Sequence, residues 1–224
     1  MYIYYIIIAI CVIIILLTSI YIWKKRSLIF CEMLERKAKK GSVKAQVLIG
    51  FSYYSGRMVN QDTQKAVYWF NKAAEGGNSE AMYLLAGIYF EGKVIAKDYT
   101  QGVLWIKKAA ENGYPPAQLT LGNMYAEGKF IENDSLQSVK WFLASAEGGN
   151  TEAQKITAGI YHLYPEYDNK IAYAWYMTAA SCGDTYSKQT GESLYSTLSD
   201  EDKITASELA SLYISKYAVK QQYK

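Results

Sequence analysis

One histidine, three cysteines and a ladder of carboxylates are the groups in this 224-residue chain that could do chemistry. A cysteine paired with His162 would make an activated nucleophile, and two facing carboxylates would divide acid and base roles. The spacing supports neither. No cysteine lies near His162 in sequence; Cys11 and Cys31 fall at the start of the chain and Cys182 ends a helical pattern. The three cysteines have neither metal-ligand spacing nor the pattern of a disulfide framework. Glu75, Glu111 and Glu147 recur at one interval of 36 residues, as do Asp62, Asp98 and Asp134. Carboxylates so spaced are one position written several times, a solvated face or a helix cap, not an acid–base set. The paired glycines of "AEGGN" recur where helical patterns stop, and no phosphate loop, nucleophile elbow or dinucleotide fingerprint is present. The expectation is a protein that is not an enzyme, with no cofactor, no metal and no small-molecule substrate.

The interval itself is the main signal. Trp69, Trp105 and Trp141 stand 36 residues apart, and so do Tyr53, Tyr89, Tyr125 and Tyr161, and Ala45, Ala81, Ala117 and Ala153. Several residue types sharing one period of this length mark a stack of units, each burying its apolar face only against the next. A fourth copy is worn: Trp175 and Asp168 come 34 residues after Trp141 and Asp134. The missing residues fall in "YHLYPEYD", which must be a loop, because a deletion within a helix would rotate everything after it.

Each unit reads as two helices. In "NSEAMYLLAGIYFE", Ala81, Leu84, Leu85, Ile88 and Tyr89 form one apolar stripe at helical spacing. Asn78 suits the N-cap and Gly92 the left-handed C-cap. After the loop "KVIAK", Asp98 with Gln101, like Asp134 with Gln137, fits a capping box that opens a second helix. Ala73–Ala74, Ala109–Ala110 and Ala179–Ala180, with Gly50, Ala86, Gly122 and Ala158 on the first helices, allow close approach of neighbours. The tryptophans and tyrosines fill the space between units. The repeated pattern encodes stacking and needs no catalysis to explain it.

These residues resemble the Sel-1-like repeat family, an α-solenoid relative of the tetratricopeptide repeats. The likeness lies in "A..LIG..YY.G" and "D..KAV.WF.KAAEGG" of residues 45–77, repeated to Gly183, about 140 residues in all. The chain departs from the pattern at Gly102 and Ser138, where alanine is usual, at Ser145 in the alanine pair, and in the fourth loop, which lacks its glycine. The resemblance implies an all-α fold, a right-handed α-solenoid of helix-turn-helix repeats, and the apolar start of the chain sets one transmembrane helix before it. The domain reading is a transmembrane anchor at 1–23, a basic juxtamembrane half-repeat at 24–44, four repeats at 45–184, and C-terminal capping helices at 185–224.

Residues 2–23 contain no charge, giving 22 residues or about 33 Å of helix, enough for a bilayer core. Tyrosines crowd one end, and Tyr21 and Trp23 mark the other, as aromatic belts do. A cleaved signal peptide would need a basic start and a small-residue cleavage site, and neither is present. Eight Lys and Arg residues lie between 24 and 44 against Glu32 and Glu35, a local charge of +6. With the whole chain at +3, the residues from Ala45 onward carry −3. That distribution sets the repeats on the cytoplasmic side of a bacterial inner membrane, as a single-pass protein with the periplasm as the alternative side. It places the basic residues against anionic headgroups and leaves no basic stripe for nucleic acid.

A protein partner is expected along the first helix of each unit. Positions that repeat, such as Leu48, Gly50 and Tyr53, are assigned to the core. Positions that vary line the groove: Val47, Phe51 and Tyr54, then Tyr83, Gly87 and Phe90, then Leu119, Asn123 and Glu127, then Lys155, Gly159 and His162. The expected concave partner-binding set is Phe51, Tyr54, Tyr83, Phe90, Asn123, Glu127, Lys155 and His162, with the aromatic half as hot spot. The other assignment of Phe51 and Phe90 is packing against the adjoining unit. Two functions fit. One is a membrane-anchored adaptor or scaffold. The other, implied by the resemblance, is a bacterial immunity protein that neutralises a secreted antibacterial effector such as a type VI secretion phospholipase.

Overall fold

The computed structural model describes residues 2–93, 95–164 and 168–218, with the side chains at positions 3 and 6–9 outside that description. Every regular element among the described residues is helical. α1 (Tyr2–Lys39) is the long one; then come α2 (Val43–Ser55), α3 (Thr63–Glu75), α4 (Ser79–Glu91), α5 (Tyr99–Glu111), α6 (Pro115–Glu127), α7 (Ser135–Glu147), α8 (Thr151–Leu163), α9 (Asn169–Ser181), α10 (Thr185–Thr197) and α11 (Asp200–Tyr217). The helices form an α-solenoid in which pairs repeat, α2 with α3 being the first. The chain divides into two compact units, Met1–Leu85 with Lys93–Ala96, and Ala86–Gly92 with Lys97–Lys224.

The helix limits follow from local chemistry. Asp62, Asp98 and Asp134 each accept a hydrogen bond at 3.0 Å from the backbone N–H three residues on, capping α3, α5 and α7. Asn78 caps α4 in the same way at 2.7 Å. The N–H of each aspartate is not returned to a side chain of its own helix. It donates to the carbonyl of Tyr53, Tyr89 or Tyr125, at 3.0, 3.2 and 3.1 Å. Half of the expected capping box is thus replaced by a bond that ties the loop back to the preceding helix. Gly128 ends α6 at φ 66, the left-handed conformation that spares a β-carbon clash. In the worn copy Tyr164 takes that place in extended backbone, so α8 ends without the left-handed turn. The loops "KVIAK" and "YHLYPEYD" fall partly on positions 94 and 165–167, outside the described residues.

In the first unit, α2 packs on α1 and on α3. Cys31, Leu34 and Ala38 of α1 join Ala45, Ile49 and Trp69 in one core cluster, so the last turns of α1 cap the stack as a half-repeat. With helices on two flanks, α2 buries a wide arc: Ala45, Gln46, Val47, Ile49, Gly50 and Ser52. Leu48 falls on the remaining arc and is 43% exposed, while Val47 is 7% exposed. The assignment of Leu48 to the core and Val47 to the groove is therefore corrected. Recurrence marked the position, but the packing partners of this first copy set its burial.

In the second unit, α5 packs on α6, α6 on α7, α7 on α8 and α8 on α9, the sequential order of a solenoid. α9 also holds α10 and α11. Trp175 is at the centre: Tyr217 stacks on it at 5.2 Å and Tyr213 tilts against it at 4.8 Å. Gln154 donates through Nε2 to the Tyr217 carbonyl at 2.9 Å, fixing the end of α11. Positions 219–224 of the expected C-terminal cap lie outside the described residues.

Along α1, every described side chain from Ile10 to Trp23 is exposed. Among the described residues no helix is long and apolar enough to cross a membrane. The anchor expected at residues 2–23 falls partly on positions 3 and 6–9, whose side chains lie outside those described.

Candidate functional site

The groups that could do chemistry are dispersed. Among the described residues no three of His, Cys, Asp and Glu gather as a metal site would require. His162 is exposed near the end of α8, its ring edge-on to Tyr176 at 6.0 Å. Cys31 is buried in the first core, and that burial pushes its thiol up, away from the reactive thiolate. All three cysteines are free. The recurring aspartates are spent as caps, and the Lys65 backbone N–H holds the Asp62 carboxyl below its ordinary range. Glu75 pairs with Lys72 at 2.9 Å on the surface.

What remains is a surface. Phe51 and Tyr54 are half-buried and both lean on Phe70 of α3, Phe51 edge-on at 5.5 Å and Tyr54 tilted at 6.4 Å. Tyr83 is half-buried on α4 in the same unit. Phe90 belongs to the second unit, where it lies 6.2 Å from Tyr99 and 5.2 Å from Phe130. Asn123, Glu127 and His162 are exposed on α6 and α8. Lys155 is half-buried and bonded to Glu152 at 2.6 Å, which raises its ammonium pKa. The structure thus brings Phe51 and Tyr54 together on one ring, sets Phe90 in a different aromatic group, and leaves Asn123, Glu127 and His162 open to solvent.

That second group includes residues that periodicity overlooked. Tyr99 and Phe130 stack at 4.7 Å and are 45% and 43% exposed. Lys97 stands 5.6 Å over the Tyr99 ring and Lys129 5.4 Å over that of Phe130. Phe130 has φ 68, the sole non-glycine residue with positive φ among those described, so its loop holds the ring in place against a backbone preference. The available signal was a large aromatic in a loop, at the position where the other copies carry Met58 and Val94. A search confined to helix positions passes over it.

Buried glutamines were also unforeseen. Gln46, Gln118 and Gln154 donate through Nε2 to the carbonyls of Ala38, Ala110 and Ala146 at 3.1–3.2 Å, each adding a second bond to a carbonyl near the end of the preceding helix that also accepts the N–H of Gly41, Gly113 or Gly149. Two of the departures from the repeat pattern, Gly102 and Ser145, acquire reasons as well. A β-carbon on Gly102 would stand 2.8 Å from the Phe90 ring, so alanine does not fit there. The Ser145 hydroxyl donates to the Pro115 carbonyl at 2.7 Å, a bond that alanine cannot make.

Comparison with known proteins agrees with this architecture. The Sel1 repeat profile matches residues 43–78, 79–114, 115–150 and 158–184. No curated protein matches the chain. A Sel1 repeat protein from Oxalobacter formigenes is 25% identical over 81% of this chain and 78% of its own, with a TM-score of 0.66. A protective antigen of uropathogenic Escherichia coli displaying an SLR fold is 27% identical over 84% of this chain and 49% of its own, with a TM-score of 0.55. An immunity protein from Pseudomonas aeruginosa shares the fold at 19% identity, over 84% of this chain and 74% of its own, with a TM-score of 0.50. The profile covers more than half of the chain; its first three matches each take in one helix pair, from α2–α3 to α6–α7, and the fourth begins within α8: the chain belongs to the Sel1 repeat family.

Proposed function

We propose that the chain is a non-enzymatic, membrane-anchored adaptor or scaffold that binds a protein partner on the concave face of a right-handed solenoid, the face lined by the first helix of each pair. The observation that carries the reading is the division of labour within those helices. Ala117, Leu121 and Gly122 of α6 are buried, whereas Asn123 and Glu127 of the same helix are exposed, and Asn123 stands where the other copies carry Phe51, Gly87 and Gly159. A surface that varies on a scaffold that repeats is the arrangement by which solenoids recognise proteins. The anchor is supported by the uncharged stretch at 2–23 and by the exposure of each described side chain from Ile10 to Trp23, an apolar surface that water covers poorly and lipid well. The eight basic residues that follow favour repeats on the cytoplasmic side of a bacterial inner membrane, with the periplasm as the other side.

A photo-crosslinking amino acid placed at Asn123, Glu127 or His162 should yield a common adduct in cells, whereas one at Lys140 on the second helix of its pair should not. Adducts from position 140 with none from the three first-helix positions would move the binding face to the second helices.

The second reading is an immunity protein. It is supported by the fold shared with an immunity protein of Pseudomonas aeruginosa, a likeness of fold alone. An immunity protein is needed only beside its effector, so loss of the gene should be toxic when a neighbouring secreted effector is intact and harmless when it is deleted. An adaptor should show no such dependence.

A further inference from the structure

We propose that the loop between α2 and α3 closes on α1 to form a headgroup site for an anionic phospholipid, so that the first repeat docks on the bilayer surface. The inference rests on the reading of α1 as an anchor. Tyr21, Lys24, Lys25 and Leu28 share one face of α1 at i, i+3, i+4 and i+7 spacing. Opposite them stand Met58 and Val59 of the loop, and the groove between holds about 470 Å³. The loop is held in place: Val59 packs on the core cluster of Cys31, Leu34 and Trp69, and the Ser52 hydroxyl lies 3.8 Å from the Met58 sulfur. Met58 nevertheless remains 41% exposed, with Leu28 at 52%.

The lining selects the occupant by charge and by position. Lys24 and Lys25 form no ion pair among the described residues, and no carboxylate lines the groove. Glu35, on the same helix, is bonded to Lys39 at 3.1 Å and accepts from the Tyr53 hydroxyl at 3.4 Å. Two ammonium groups, with the Tyr21 ring one turn towards the uncharged stretch and Met58 across the groove, match a phosphate with the upper part of an acyl chain beneath it. The two lysines directly follow the uncharged stretch that ends at Trp23. At 1.5 Å of rise per residue they stand in the headgroup layer whenever that stretch crosses the hydrocarbon. An acidic segment of a protein would satisfy the lysines but would place Met58 against polar backbone.

The test uses the full chain, with methyl-labelled methionine, in nanodiscs of phosphatidylcholine alone or mixed with phosphatidylglycerol. A lipid carrying a nitroxide high on its acyl chain should broaden the Met58 methyl signal in the mixed discs. The docked population should fall about fivefold for each of Lys24→Gln and Lys25→Gln. The buried Met124 methyl reports that the variants keep their fold. The Trp23 indole signal reports the anchor separately. Broadening at Trp23 with none at Met58 overturns the headgroup site and leaves the anchor standing. No broadening at Trp23 overturns the anchor and the site with it. Equal broadening of Met58 in phosphatidylcholine alone, unchanged by either glutamine, would show that the loop meets lipid without a charge-selective site.

Discussion

The ring of Phe70 fills the space that a β-carbon on Gly50 would need, its Cε1 2.7 Å from that position. The same relationship joins Phe142 to Gly122 at 2.8 Å. In the other two copies the equivalent pairs are Ala86 with Ile106 and Ala158 with Tyr176. Glycine on the first helix thus makes room for phenylalanine on the second in two of the copies.

Gly50→Ala should destabilise the first unit by about 1–3 kcal/mol, because Phe70 is fully buried and has nowhere to move. Adding Phe70→Ile, which copies the pair of the second repeat, should recover part of that loss. Denaturant melts of the two single variants and the double test this. Strictly additive losses would show that the two positions are not coupled.

Removal of residues 1–26 should leave a helical protein with a cooperative melt, since the core cluster begins at Cys31. Removal of residues 1–39 should lower the melting temperature markedly, because Trp69 loses the cover of Cys31, Leu34 and Ala38. Circular dichroism of both truncations checks the boundary. Equal melts would mean that the end of α1 is not part of the stack.

The tryptophan series should split. Trp175 is 2% exposed beneath Tyr213 and Tyr217, and Trp175→Ala should cost about 3–5 kcal/mol. Trp105 is half-buried with the Lys108 ammonium 4.5 Å over its ring, so Trp105→Ala should cost distinctly less. Chemical denaturation of the two variants decides it, and a larger loss at Trp105 would reverse the ranking.

Asp202 should make the docking of α11 acid-sensitive. Lys170, with the Ser199 hydroxyl, holds the Asp202 carboxyl below its ordinary value of 3.8. A depressed carboxyl stabilises the fold above its unfolded pKa, and that contribution fades as pH falls through the lower folded value. The melting temperature of the parent should exceed that of Asp202→Asn at pH 5 and above, and the gap should narrow below pH 3.8. A gap independent of pH would assign the effect to packing.

The sequence by itself determined the repeat, the helix pairs and their ends. Period, apolar stripe and cap are local properties, and Asn78, Asp98 and Gly92 act through bonds to their immediate neighbours. It also made the departures at Gly102 and Ser145 visible, without giving their causes. Those causes lie in residues distant along the chain, the Phe90 ring and the Pro115 carbonyl. Tertiary structure alone decided that Val47 is buried and Leu48 exposed, because that depends on α1 and α3 flanking α2. It alone placed Tyr99 against Phe130 and raised Met58 beside Lys24, since a loop side chain has no periodicity by which its neighbours could be read.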